Sequence, residues 1–273
     1  MPIGTIAAIV AVIILVTVGP LGIMYFLHKR GGAWTTFLIG AGTFILFAFA
    51  LENLFHALVL LVLFPNAETV IRGNIWLCGF YGGLAAGLFE ETGRLLAFRF
   101  VLRRQQNRIT SLAYGIGHGG IEAFLIAGLT MVNNLILGLT YANVETLPPE
   151  IAPLVKTLLT TPADTFLWSG FERLYAVAAH MALSVLVFAS VRTNRRWLYP
   201  AAILIHAGIN CTAVVLNAYL PIAATELLVA ALTAASVLWA ARIYKNLSQY
   251  TSGTWKRTGI CFSTGRHSGQ QGS

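Results

Sequence analysis

The chain has 273 residues, of which 57% are hydrophobic and 10% charged, and its formal net charge is +8. A soluble domain carries about 25% charged and about 45–50% apolar residues, so this composition excludes a soluble enzyme and a disordered chain. It also excludes a nucleic-acid-binding domain, whose Lys and Arg would form a stripe between ordinary polar faces; here they sit in short clusters between long apolar runs, the pattern of a multi-spanning α-helical membrane protein.

A crossing helix needs roughly 20 apolar residues, and seven segments qualify in chain order: Ile3–Leu27, Ala33–Phe64, Ile75–Phe98, Ile109–Leu139, Phe166–Val191, Trp197–Tyr219 and Ile222–Tyr244. The first lacks a basic leader and ends on His28, Lys29 and Arg30, so it reads as a span rather than a signal peptide. The second and fourth exceed one crossing and are expected to tilt, kink or run past the bilayer. The connection over 140–165, with Pro148, Pro149, Pro153 and Pro162, is the one long external loop, a cap over the outer mouth or a plain linker. Residues 1–245 are expected to form a single membrane domain, with its polar core at about 75–219. Residues 246–273, polar and rich in Gly and Ser, are expected to be a disordered cytoplasmic tail. Cys78, Cys211 and Cys261 form neither a disulfide framework nor a zinc-type spacing.

Fourteen of the 18 Lys and Arg fall after, or in the last turn of, the first, third, fifth and seventh spans, including Arg99, Arg103, Arg104 and Arg108 and the group Arg192, Arg195 and Arg196. The alternate loops hold only Arg72 and Lys156 among basic residues, beside Glu68, Glu145, Glu150 and Asp164. Cytoplasmic loops keep the Lys/Arg excess, so the N-terminus is expected outside and the C-terminus inside, in an all-α bundle of seven transmembrane helices. Such a protein is expected in the plasma membrane.

Ionisable residues inside spans are costly and mark function by default. Glu90 lies nine residues from the nearest cytoplasmic Arg, His118 and His206 ten, and His180 twelve. At about 1.5 Å per residue all four sit roughly 14–18 Å deep. Helical spacing of three or four puts Glu90 or Glu91 with Arg94, His118 with Glu122, and His206 with Asn210 on shared faces. Glycines surround them, at Gly82, Gly83 and Gly87 and at Gly115, Gly117, Gly119 and Gly120, and small residues let helices approach closely. Glu172 and Arg173, with Glu52 and His56, read as one structural ion-pair network in the outer half.

These residues resemble the glutamate-type intramembrane proteases related to the CAAX prenyl proteases and PrsW. Glu90-Glu91-Thr-Gly-Arg94 is similar to the Glu-Glu element of that superfamily in its shorter form. Tyr114 with His118 four residues on is similar to its Phe-x-x-x-His element, with Tyr for Phe, and His206-Ala-Gly-Ile-Asn210 to its His-x-x-x-Asn element. The stretch from Gly117 to Glu122, and Glu172-Arg173 ahead of His180, resemble the YhfC branch most. The resemblance covers spans 3 to 7. The short gap before Arg94 departs from the prenyl-protease form, so prenylated substrates are not implied. His180 with His206 also resembles the His pair of the multispanning scaffold subunit of γ-secretase.

The resulting expectation is an intramembrane peptidase with site residues Glu90, Glu91, Arg94, His118, Glu122, His180, His206 and Asn210. A Glu-activated water, from Glu90 or Glu91, attacks the scissile carbonyl. His118 orients the water, His180 supports the network, and His206 and Asn210 stabilise the oxyanion. No cofactor is expected on the resemblance, which favours a metal-free mechanism, although three His and a Glu are a donor set for zinc. The partners expected are a membrane protein or peptide substrate and the lipid bilayer, with no nucleic acid. The competing readings are a non-catalytic scaffold or chaperone and a proton-coupled transporter.

Overall fold

The computed structural model describes residues 1–64, 66–142, 147–193 and 195–252. It is all-α, with no strand among the described residues. Helix α1 spans Ile3–Lys29. Helix α2 (Trp34–Phe44) runs through π-helical turns at Ile45–Glu52 into α3 (Asn53–Ala57) and a second π-helical stretch at Leu58–Leu63. The short α4 (Ala67–Arg72) leads to α5 (Ile75–Leu96), which ends in π-helical turns at Ala97–Val101. Helix α6 (Ile109–Ala123) passes through Phe124–Gly128 into α7 (Leu129–Tyr141). Then come α8 (Ala152–Thr160), α9 (Ala163–Arg192), α10 (Leu198–Asn217) and α11 (Ile222–Ser252).

Six helical segments are long and apolar enough to cross a membrane: Ile3–Lys29, Trp34–Val62, Ile109–Tyr141, Ala163–Arg192, Leu198–Asn217 and Ile222–Leu247. Their outer faces carry bare apolar side chains, such as Leu54, Leu61, Leu204 and Leu238, a surface that lipid solvates and water does not. The chain is a multi-pass integral membrane protein. Helix α5 is not among the six because Glu90, Glu91 and its glycines dilute its apolar content. The two segments expected to exceed one crossing both contain π-helical turns, which insert a residue into the i→i+4 ladder and let a long helix change direction.

The expected domain end at 245 falls inside α11, which continues to Ser252. Residues 253–273, with Cys261, Lys256, Arg257 and Arg266, lie outside the described residues, as does Glu145. Helix α8, in the connection read as a cap or a plain linker, packs beside α7, with Val155 and Leu158 buried.

Glycine sets the packing. On α5, Gly79, Gly83 and Gly87 recur every four residues and lie flat on α10: a Cβ at Gly83 would meet Ala207 O at 2.6 Å, and one at Gly87 would meet Ile203 O at 2.8 Å. Gly82, expected in this group, faces open space. On α6, Gly117 lies against the Phe37 carbonyl of α2, Gly115 and Gly119 against α9, and Gly120 against Pro20 of α1. Helix α6 is thereby clasped on three sides. The α5 helix starts at Asn74, whose side chain accepts from the backbone N–H of Trp76 and Leu77, an N-cap. Below the polar level, an apolar cluster that includes Phe98, Leu183, Leu186, Phe188 and Leu198 closes the end bearing the α9–α10 turn.

Candidate active site

The glycine contacts bring the polar faces of α5, α6, α9 and α10 together. Glu90, Glu91, Arg94, His118, His180 and His206 are all buried, with Arg94, Glu91 and His118 at 0% exposure. A charge in such a place must be paired and hydrogen-bonded, and here the pairs interlock.

His118 Nε2 donates to Glu90 Oε2 at 2.8 Å. The opposite carboxylate oxygen, Oε1, lies 3.9 Å from His206 Nε2, and Oε2 lies 3.8 Å from His180 Nδ1. Adjacent Glu91 points elsewhere: Arg94 Nη1 donates to both its oxygens at 2.5 Å, and His206 Nδ1 donates to its Oε1 at 2.9 Å. Arg94 Nη2 also donates to His180 Nδ1 at 3.1 Å. On the far side of that ring, His180 Nε2 meets Glu122 Oε2, and Glu122 Oε1 accepts from Arg173 at 3.0 Å. Arg173 pairs with Glu172 as well.

For neutral rings these contacts assign one tautomer each, because a neutral ring donates from one nitrogen only. His206 donates from Nδ1 and carries its lone pair on Nε2. His180 donates from Nε2 and carries its lone pair on Nδ1. Both lone pairs are on the Glu90 side.

Seven of the eight expected site residues are thus linked in one network. The eighth, Asn210, lines a cavity of about 70 Å³ together with Glu90, Glu122, His180 and His206. That volume holds a few waters. Glu91, Arg94 and His118 do not line it. His118, expected to orient the water, lies behind Glu90, with its ring edge-on to Phe44 at 5.3 Å between centroids.

The outer set divides differently from expectation. Glu172 and Arg173 join the centre through Glu122. Glu52 pairs with His56 at 3.3 Å, and His56 Nδ1 hydrogen-bonds Tyr81 at 2.9 Å, a group on α5 and the α2–α3 helix that makes no hydrogen bond to the centre among the described residues. Glu226, on α11, was not anticipated as part of the site. It accepts from Tyr175 at 2.6 Å beside the cavity. It lies four residues into its helix, where an acidic residue looks like an ordinary helix end.

The chain matches, over residues 12–233, the family described as YhfC intramembrane metalloprotease. The chain belongs to that family. It is also 36% identical over 231 residues to a relative described as uncharacterized membrane protein YhfC of Bacillus subtilis (strain 168), covering 81% of this chain and 89% of the relative. No solved structure matches. The family's description names intramembrane proteolysis, the activity that the resemblance implied. It also names a metal, which the sequence had left possible beside the metal-free mechanism favoured by the resemblance.

The residues fit a metal. Glu90, His180 and His206 offer one donor atom each, all within 4.8 Å of one another and all buried. One carboxylate and two imidazoles are a familiar catalytic zinc donor set. Each imidazole also gives its other nitrogen to a carboxylate, Glu91 or Glu122, the partner that fixes a ligating ring. Charge agrees: the linked network holds four carboxylates, Glu90, Glu91, Glu122 and Glu172, against two guanidiniums, Arg94 and Arg173. A divalent cation would balance the difference.

Proposed function

We propose that the chain is an intramembrane peptidase that cleaves a membrane-embedded protein or peptide, and that Glu90, His180 and His206 hold a divalent metal at its centre. The observation that carries this reading is the convergence of two imidazole lone pairs and one carboxylate, from three helices, on one cavity that holds a few waters. When bound, such a metal acidifies a water and polarises a carbonyl. The chain's own residues do the rest. His118 holds Glu90 by Oε2 and leaves Oε1 free. Glu91 holds His206 and neutralises Arg94. Glu122, braced by Arg173, holds His180. Asn210, one helical turn beyond His206 on the cavity wall, is placed to donate to the oxyanion that develops on the scissile carbonyl.

A second reading keeps Glu90 as the general base without metal, taking the proton of the attacking water on Oε1. It is favoured by Arg94 Nη2, which already occupies the His180 lone pair at 3.1 Å. Metal content of the purified protein separates the two. About one zinc or iron per chain, lost in His206→Ala, supports the first; metal-free protein that keeps cleaving under strong chelation supports the second.

In this account α5 is the seventh crossing helix, antiparallel to α10 along the Gly79–Gly83–Gly87 face. The N-terminus is outside and the C-terminus inside, in the cell membrane, and the bundle forms one domain. A scaffold role would need none of the converging lone pairs.

A further inference from the structure

The polar centre has one closed end and one open one. Towards the α9–α10 turn the cavity stops at Leu183, 1% exposed and part of the apolar cluster with Leu186 and Phe188. In the other direction its lining climbs α9 from His180 to Glu172 and α10 from His206 to Ala213, a rise of about 10–12 Å. Exposure grows along the climb. His180 and His206 are buried, Ala176 and Ala213 are half-buried, and the Glu172 side chain is 35% exposed.

The walls are small and acidic. Ala176, Ala179 and Ala213 leave the bore open, and Glu172, Glu122 and Glu90 follow one another down it, against one cation, Arg173. At the bottom, His206 is 4% exposed and its Nε2 has no hydrogen-bond partner among the described residues. An unpartnered acceptor in a buried polar cavity is a place for water or a cation. A cleft of one charge sign between low-dielectric walls concentrates counter-ions.

We infer that this cavity is a vestibule that admits water and small cations, and disfavours anions, from the Glu172 end of the bundle between α9, α10 and α11. What it feeds rests on the peptidase reading; the passage itself does not, and it is tested without cleavage.

The test uses full-length protein with Cys78→Ala, Cys211→Ala and Cys261→Ala in sealed vesicles of known orientation. Single cysteines are placed at Ala176 and Ala213, and at lipid-facing Leu204 as a control. Each is exposed to a cationic and an anionic methanethiosulfonate, neither of which crosses membranes. Ala176→Cys and Ala213→Cys should react from the Glu172 side only, with the cationic reagent about tenfold faster than the anionic one, while Leu204→Cys stays unmodified. Glu172→Gln added to Ala213→Cys should narrow that ratio. Reaction from the opposite side, no reaction at either alanine position, equal rates for the two reagents, or an unchanged ratio in Glu172→Gln would overturn the inference. A labelled vestibule in a protein that cleaves nothing would leave the passage standing and remove the peptidase reading.

Discussion

His206 donates from Nδ1 to Glu91 Oε1 across 2.9 Å, and this bond decides what the rest of the ring can do. It leaves Nε2 as the lone pair, 3.9 Å from Glu90. Glu91 is therefore a positioning residue, and it carries a second duty as the sole carboxylate bonded to Arg94 among the described residues. Glu91→Gln should leave a buried guanidinium uncompensated, at a cost of about 3–5 kcal/mol, seen as a lower melting temperature in detergent and less folded protein. Adding Arg94→Met should restore much of the stability while leaving the protein inactive. Stability unchanged in Glu91→Gln would refute the pairing.

The α5–α10 interface gives a purely steric prediction. Gly83→Val puts atoms where Ala207 O stands, 2.6 Å from an ideal Cβ, and should destabilise by about 1–3 kcal/mol through overpacking. Gly82→Ala, next in sequence but facing open space, should melt like wild type. Equal melting of the two variants would contradict the antiparallel contact.

Arg173 and His56 separate the two outer polar groups. Arg173→Met removes the brace on Glu122 and so loosens His180; it should weaken metal binding and lower turnover beyond its effect on stability, with Arg173→Lys recovering part of both. His56→Ala breaks only the Glu52–Tyr81 link and should leave turnover per folded molecule unchanged. The reverse pattern would place the centre at the wrong level.

The helices and the level of the site were readable in the sequence because both follow from one-dimensional quantities. Apolar run length gives the long helices, and distance from the nearest basic cluster gives the level of one polar residue relative to another. The rings of His118 and His180 stand 4.9 Å apart and those of His180 and His206 5.3 Å apart, as equal depth requires. Rotation about the helix axis was not readable. Glu90 and Glu91 differ by about 100°, and only the packing of α5 on α10 shows which of them lines the cavity. The same ignorance of azimuth grouped Gly82 with the packing glycines in place of Gly79, placed His118 before the water instead of behind Glu90, and merged Glu52–His56 with Glu172–Arg173.

Orientation is tested by reporters. Fusions after Arg104 and after Arg195 should read cytoplasmic and one after Pro149 external, as the loop charges require. An external signal after Arg104 would break the seven-crossing account, including the crossing by α5.

Cleavage of a transmembrane peptide by purified protein in lipid, comparing wild type with Glu90→Gln, tests whether Glu90 drives proteolysis. The substitution keeps shape and most hydrogen bonding but removes the carboxylate charge. The account predicts a protein that melts close to wild type and has lost nearly all turnover. Full cleavage by well-folded Glu90→Gln would contradict it.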